Sequence, residues 1–362
     1  MRKLGISVYP NHCKEKDYLD YIDLAASFGV SHIFTCLLSH DLPKDELIKV
    51  YKTLTNRAKK HSMSVVIDVA PRLFTKFGID YKDLAFFSEL GVAGFRLDEA
   101  FTGSEESMMS FNKYGLQIEL NASNATPYLD NIFAYQPKSE AFTGCHNFYP
   151  HKYTGLTLEH CLYGSKLYKK HGLPVSAFVS SPSAKFGPWD VSEGLCTLEM
   201  HRSMPLDVQA KHLWSTDLID NVIIANMFAS VDEFESLKKL DPYMLSFKVE
   251  LEKVITPLDK KIVLEELHFN RGDVSPNVLR STQSRVKYKN ESFPVYNPAD
   301  IKRGDLVIES SEYEHYAGEL QIALADMKNS GRSNVVGHIS SDELFLLDTV
   351  KPWQKFRFYE SV

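Results

Sequence analysis

The sequence lacks most of what marks a membrane, secreted or nucleic-acid-binding chain. No apolar run approaches the roughly 20 residues that a bilayer-crossing helix needs. The N-terminal stretch, MRKLGISVYPNHC, holds no apolar core of the kind a secretion signal carries. The five cysteines (Cys13, Cys36, Cys145, Cys161 and Cys196) are odd in number, scattered and nowhere spaced as CxxC. They are expected as unpaired thiols in a reducing compartment, not as a disulfide framework. Neither HxH nor HExxH occurs, and no Lys/Arg run supplies the basic patch that nucleic acid requires. These absences lead us to expect a cytoplasmic protein with a small-molecule partner, no nucleic acid, no membrane and no cofactor; a homodimer stays open. The formal net charge of −6 means that an anionic substrate has to be held by local cations.

What is present is a folded chain with regular punctuation. The 44% hydrophobic content suits a buried core, and 362 residues exceed what one core of about 250–300 residues holds, so two domains are expected. Eight short apolar segments read as strands: LGISVY (4–9), HIFTC (32–36), SVVIDV (64–69), AGFRLD (93–98), LQIELN (116–121), AFTGCH (141–146), PVSAFVS (174–180) and NVIIAN (221–226). A stretch of helical periodicity follows each one. That alternation implies a parallel sheet, and its count over about 240 residues is that of a (β/α)8 TIM barrel. An open doubly wound sheet is the weaker alternative, because no Gly-rich dinucleotide fingerprint follows any strand. After Asp241-Pro242 the pattern changes. KVELEKV (248–254), KKIVLEELHF (260–269), GDLVIES (304–310), ELQIALADM (319–327), SNVVGHI (333–339), ELFLLDTV (343–350) and FRFYE (356–360) read as strands of a smaller, mostly antiparallel β-barrel domain. The division is 1–243 for the barrel and 244–362 for the β domain.

Catalysis in such barrels sits at the C-terminal strand ends. Those ends offer Asp68, then Arg96 and Asp98, then Glu119 and Asn121, then His146, Asn147 and Tyr149, and finally Asn226. Alternation puts Arg96 and Asp98 on one face, while Glu99 points away and is structural. An unpaired buried charge costs on the order of several kcal/mol, so these groups are either ion-paired scaffold or a site. Three successive strands ending in carboxylates favour a site. Glycosidic cleavage needs two carboxyl groups over one pocket, one protonated and one ionised. Asp98 and Glu119 are the first choice for that pair, with Asp68 as substitute and Arg96 tuning their pKa values. Asn121, His146, Asn147 and Tyr149 then hold the sugar. Inverting, retaining and acetamido-assisted routes all stay open, because they turn on a distance.

A second reading makes His146, Asp68 and Glu119 metal ligands in a sugar-phosphate isomerase or aldolase. A third makes the protein a non-catalytic surface or sugar-binding protein; the RGD at 271–273 would suit it but has no secretion signal beside it. Anion-binding groups are available in three places. The loop SSPSAKFGPWD (180–190) offers Ser181 and Lys185 where barrels often bind phosphate, and Arg202 in TLEMHR lies near the same rim. Arg280 and Arg285 in the stretch NRGDVSPNVLRSTQSR (270–285) can grip phosphate or carboxylate through their planar forks.

Seven segments in order, GFRLDEAF (94–101), LNASN (120–124), CHNFYP (145–150), TLEMHR (197–202), RSTQSR (280–285), RGDLVI (303–308) and YAGELQI (316–322), resemble the bacterial 6-phospho-N-acetylmuramidases. The resemblance covers essentially the whole chain. It implies a β/α barrel with a cyclophilin-like C-terminal domain, a fold some members of which carry the label outer surface protein. It also implies a hydrolase of peptidoglycan recycling that cleaves 6-phospho-N-acetylmuramic acid from N-acetylglucosamine in an imported disaccharide. That sugar carries a phosphate and a lactyl carboxylate, which gives Arg280, Arg285 and Lys185 something to bind. The segment GPWDVSEGLCTLE (187–199) departs from the more compact form of the family. No catalytic pair is carried over from the resemblance; the carboxylates named above come from the strand ends.

Overall fold

The computed structural model describes residues 2–37, 42–184, 186–189, 191 and 193–360. The chain forms two compact units, Met1–Lys239 and Leu240–Val362. In the first, β1 (Lys3–Ser7), β2 (His32–Cys36), β3 (Ser64–Val69), β4 (Gly94–Leu97), β5 (Gln117–Asn121), β6 (Phe142–Cys145), β7 (Val175–Val179) and β8 (Asn221–Ile224) follow one another around a ring. Each pairs in parallel with the next, and β8 closes on β1. The TIM barrel read from the alternation is therefore the fold. Parallel strands are covered on both faces, which is why β2 and β7 are buried at every position and read as apolar runs.

The helices between the strands form where the local chemistry favours them. Lys44–Lys60 buries Leu47, Tyr51, Leu54 and Ala58, spaced as one helix face. Thr157 caps Leu158–Lys170 by accepting from the His160 amide at 3.2 Å. Ser230 and Glu233 form a reciprocal capping box that opens Val231–Lys238. The structure adds a helix absent from the sequence reading, Pro71–Phe77, set by proline at its start and by Gly78 in the left-handed conformation at its end. One glycine matters to the site. A Cβ at Gly94 would lie 2.5 Å from the Gln117 carbonyl, so only glycine lets β4 and β5 approach closely at their base.

The second unit is one seven-stranded sheet. Its strands are β9 (Leu245–Leu251), β10 (His268–Phe269), β11 (Val278–Ser281), β12 (Asp305–Glu309), β13 (Leu320–Ala323), β14 (Ser333–Ile339) and β15 (Lys355–Glu360). They lie in the order β10-β15-β9-β14-β12-β13-β11. The β15–β9 pair is parallel and the others are antiparallel, so the sheet is mixed. His268 Nδ1 lies 2.8 Å from Ser281 Oγ, which draws the two edge strands together into a nearly closed barrel. Phe247, Val249, Leu306, Ile308, Ile322 and Phe356 fill its interior.

Two segments expected as strands are helical. KKIVLEELHF becomes a helix, Pro257–Glu265, and then the two-residue β10. Thr256 accepts from the Asp259 amide at 3.0 Å and Pro257 sits in the first turn, a start signal that outweighs the β-branched run. ELFLLDTV falls in a 3-10 helix, Ser341–Thr349, all but its last residue, Val350; its apolar residues are contiguous, and such a run carries no period from which to read its state. No helix among the described residues is long and apolar enough to cross a membrane.

Candidate active site

The barrel register lines up Cys36, Asp68, Arg96, Glu119 and Thr143 as direct neighbours across β2 to β6. This row puts one cation between two carboxyl groups in a water-poor interior. Arg96 Nη1 donates to Asp68 Oδ1 at 2.7 Å and to Asp98 Oδ1 at 3.0 Å. Its Nη2 donates to Asn147 Oδ1. Burial pushes the Asp68 carboxyl up to about 6, against the pull of Arg96. Burial likewise pushes Glu119 up to about 7, again partly offset by Arg96. Thr143 Oγ1 donates to Glu119 Oε2 at 3.4 Å, and Glu119 Oε1 is buried with no hydrogen-bond partner among the described residues.

Asp68, Arg96, Asp98 and Asn147 form the polar wall of one pocket at the strand ends. Phe34, Phe148, Phe178 and Trp189 form its aromatic wall. The three phenylalanines brace one another edge to face, with the Phe34 and Phe148 rings each 5.0 Å from that of Phe178. Such faces suit the C–H side of a sugar ring. Asp98 is the open member of the group, with 36% of its side chain exposed against 9% for Asp68. Glu99, one residue on, is exposed.

The other candidates are placed as follows. Glu119 does not line this pocket and is 3% exposed. Asn121 Oδ1 accepts from the Ser123 amide at 2.9 Å, and its Nδ2 donates to the Asp98 carbonyl at 3.3 Å, so it steadies the chain that carries Asp98. His146 is fully buried beside Ser165 Oγ at 2.8 Å, and burial drives it down to about 3, leaving it neutral. The next residue, Asn147, faces the pocket instead. The Tyr149 backbone bonds to Cys196, and burial raises its hydroxyl. Ser181 Oγ donates to the Glu233 carboxylate at 2.8 Å, and Asn226 clasps the Ser181 backbone at 2.7 and 2.8 Å, so both belong to the scaffold of the β7 loop. Arg202 grips Glu199 through Nε and Nη2 and three backbone carbonyls through Nη1, which uses its whole fork. Lys185 lies outside the described residues. Arg280 and Arg285 belong to the second unit. No cluster of three or more His, Cys, Asp or Glu side chains arranged to hold a metal occurs among the described residues.

Sequence reasoning missed the aromatic wall. Phe34 and Phe178 sit inside strands that read as plain core, and Phe148 stands next to a residue that was singled out. Three aromatic residues near strand ends were the available signal.

The sequence profile for the N-terminal part of the 6-phospho-N-acetylmuramidases matches residues 4–239, and that for the C-terminal part matches residues 245–359. The chain belongs to this family. An uncharacterized B. cereus protein of known crystal structure is 47% identical, with 99% of each chain covered and a TM-score of 0.93. A conserved Enterococcus faecalis protein of unknown function is 25% identical, covering 99% of this chain and 96% of its own, with a TM-score of 0.72. A search of curated proteins gives no match. Membership in the 6-phospho-N-acetylmuramidases supports glycosidase activity in general and a small phosphorylated sugar as partner.

Glu119 gives a first test of how this polar row works. Burial holds the proton on folded Glu119 up to about 7, whereas the unfolded chain releases it near the ordinary glutamate value of 4.5. Between those values the folded state binds more protons, so stability falls as pH rises through this window. The shift corresponds to on the order of 3 kcal/mol by the time pH exceeds the folded value. Glu119→Gln is expected to flatten this fall in urea titrations from pH 4 to 8 and to keep turnover of the wild-type order. Abolished turnover would return Glu119 to the catalytic pair.

Proposed function

We propose that the protein hydrolyses the glycosidic bond between 6-phospho-N-acetylmuramic acid and N-acetylglucosamine, recycling cell-wall sugar in the cytoplasm. The observation that carries this reading is the bridge by which one nitrogen of Arg96 holds both Asp68 and Asp98 at the wall of an aromatic-faced pocket. Asp68, whose burial raises it to about 6 so that it keeps its proton below that pH, donates to the leaving oxygen. Asp98, the exposed partner held by Arg96, acts at the anomeric centre or orients the substrate's own acetamido group. Arg96 keeps both carboxyl groups in place, and Asn147 fixes the far side of its fork.

The two oxygens that share Arg96 Nη1 stand no farther apart than bonds of 2.7 and 3.0 Å laid end to end. Inverting enzymes space their carboxyl groups by about 6.5–9.5 Å to admit a water, so the short span supports retention. Both direct attack and acetamido assistance retain the anomeric configuration.

The test is incubation with phosphorylated and unphosphorylated muramyl disaccharide, products read by mass spectrometry and early anomers by proton NMR. Cleavage of the phosphorylated disaccharide with retained configuration is expected. No cleavage of either sugar contradicts the proposed activity, and an inverted product contradicts the assignment of the pair.

A further inference from the structure

Two of the segments that carry the family resemblance, RSTQSR and YAGELQI, meet inside the second unit. β11 and β13 pair antiparallel and set Arg280 opposite Gln321. Gly318, at φ 79°, makes the turn just before β13; a Cβ there would lie 2.5 Å from the Phe293 ring. The turn delivers Tyr316 and Glu319 to the same two arginines. Arg280 Nε donates to Glu319 Oε1 at 2.6 Å, and Arg285 Nη1 lies 3.1 Å from Oε2. Both guanidinium groups also cover the Tyr316 ring, at 5.7 and 5.2 Å from its centre. Glu319 is fully buried and Tyr316 is exposed, so the cluster has a closed floor and an open top.

The use of donors separates this cluster from a brace. Arg202 spends its whole fork on internal acceptors, as described above. Arg280 commits only Nε, and Arg285 commits only Nη1, to Glu319 and to the His315 carbonyl at 3.3 Å. Both side chains are partly exposed, 21% and 24%. Their remaining N–H groups have no partner among the described residues. The charge does not cancel either. Two guanidinium groups face one ionisable floor, Asp273 nearby is gripped by Arg271 at 2.7 Å, and Glu309 accepts instead from Ser333 Oγ at 2.6 Å.

We propose that Arg280 and Arg285, stacked on Tyr316 and oriented from below by Glu319, form an oxyanion-binding site that takes a phosphate monoester. Planar donors from two forks match the three oxygens of a phosphoryl group, and a surplus positive charge suits a dianion. The identity of the ligand as a sugar phosphate rests on the proposed activity; the oxyanion site does not.

The experiment is calorimetric titration of the full-length protein with inorganic phosphate, with N-acetylglucosamine 6-phosphate and with lactate. Saturable binding of both phosphates, and weaker binding of lactate, is expected. Arg280→Gln and Arg285→Gln should each weaken phosphate by at least about tenfold. Arg285→Lys keeps a charge against Glu319 to protect the fold and should lose most of the affinity through loss of the fork. Glu319→Gln removes the internal competitor and should tighten phosphate. Absence of saturable binding to wild type, equal affinity in folded arginine variants, or lactate binding as tight as phosphate overturns the proposal. Hydrolysis of the phosphorylated disaccharide with no phosphate effect in these variants would overturn this site alone. Phosphate binding without hydrolysis would overturn the activity alone.

Discussion

Asp98→Asn is expected to lower turnover of the phosphorylated disaccharide by at least about 10²–10³-fold, the range for removing one group preorganised against the charge that develops in the transition state, while the fold survives. The physical reason lies in what each partner keeps. Asp98 is the exposed end of the Arg96 bridge, so its amide replacement strands no buried charge. Arg96 retains Asp68 at 2.7 Å and Asn147. The melting temperature should therefore stay close to that of wild type, and circular dichroism checks this on the sample used for kinetics. Asp68→Asn should lose turnover of the natural disaccharide to a similar degree. Wild-type rates in both variants would remove the pair from catalysis.

Arg96→Met is expected to have the largest effect on stability. It leaves Asp68, 9% exposed in its side chain, and the buried Glu119 without their common cation. Breaking a buried pair from one side typically costs about 3–5 kcal/mol. The loss should depend on pH. In wild type, burial already raises Asp68 to about 6 and Glu119 to about 7, with Arg96 holding both down. Without Arg96 both carboxyl groups rise further in the folded state, while their unfolded values stay put. The folded variant then binds more protons than the unfolded chain over a wider range, and its stability falls more steeply as pH rises. Urea titrations should show a gap between variant and wild type that is large at pH 8 and narrows at pH 5. A gap independent of pH would mean that Arg96 acts by packing alone.

The barrel was legible because its strands are short, mostly buried and separated by helices with their own start and stop residues. HIFTC and SVVIDV coincide with β2 and β3, because an apolar run between turn residues has no other use in a parallel sheet. The second unit was less legible where two signals competed. In KKIVLEELHF the β-branched pair argued for a strand, but Thr256 and Pro257 had already started a helix.

The site divides in the same way. Period-two alternation correctly coupled Arg96 with Asp98. It did not give depth along the barrel axis, so it could not tell that Glu119 sits outside the pocket lining while Asp68 reaches its wall. Nor did it give phase once a strand has ended. β6 stops at Cys145, and beyond it His146 turns to Ser165 while Asn147 turns to Arg96. The aromatic wall was hidden because Phe34 and Phe178 look like core in one dimension and become pocket only when the strands close into a ring.

The roles assigned to Asp68 and Asp98 separate on a substrate whose leaving group needs no proton. The measurement is hydrolysis of a nitrophenyl glycoside of 6-phospho-N-acetylmuramic acid by wild type, Asp68→Asn and Asp98→Asn. The account predicts that Asp68→Asn, strongly impaired on the disaccharide, releases nitrophenol with a kcat/KM near that of wild type while its kcat falls, because the same residue must later activate the water that opens the intermediate, and that Asp98→Asn cleaves neither. Loss of nitrophenyl cleavage in Asp68→Asn together with its retention in Asp98→Asn would contradict it.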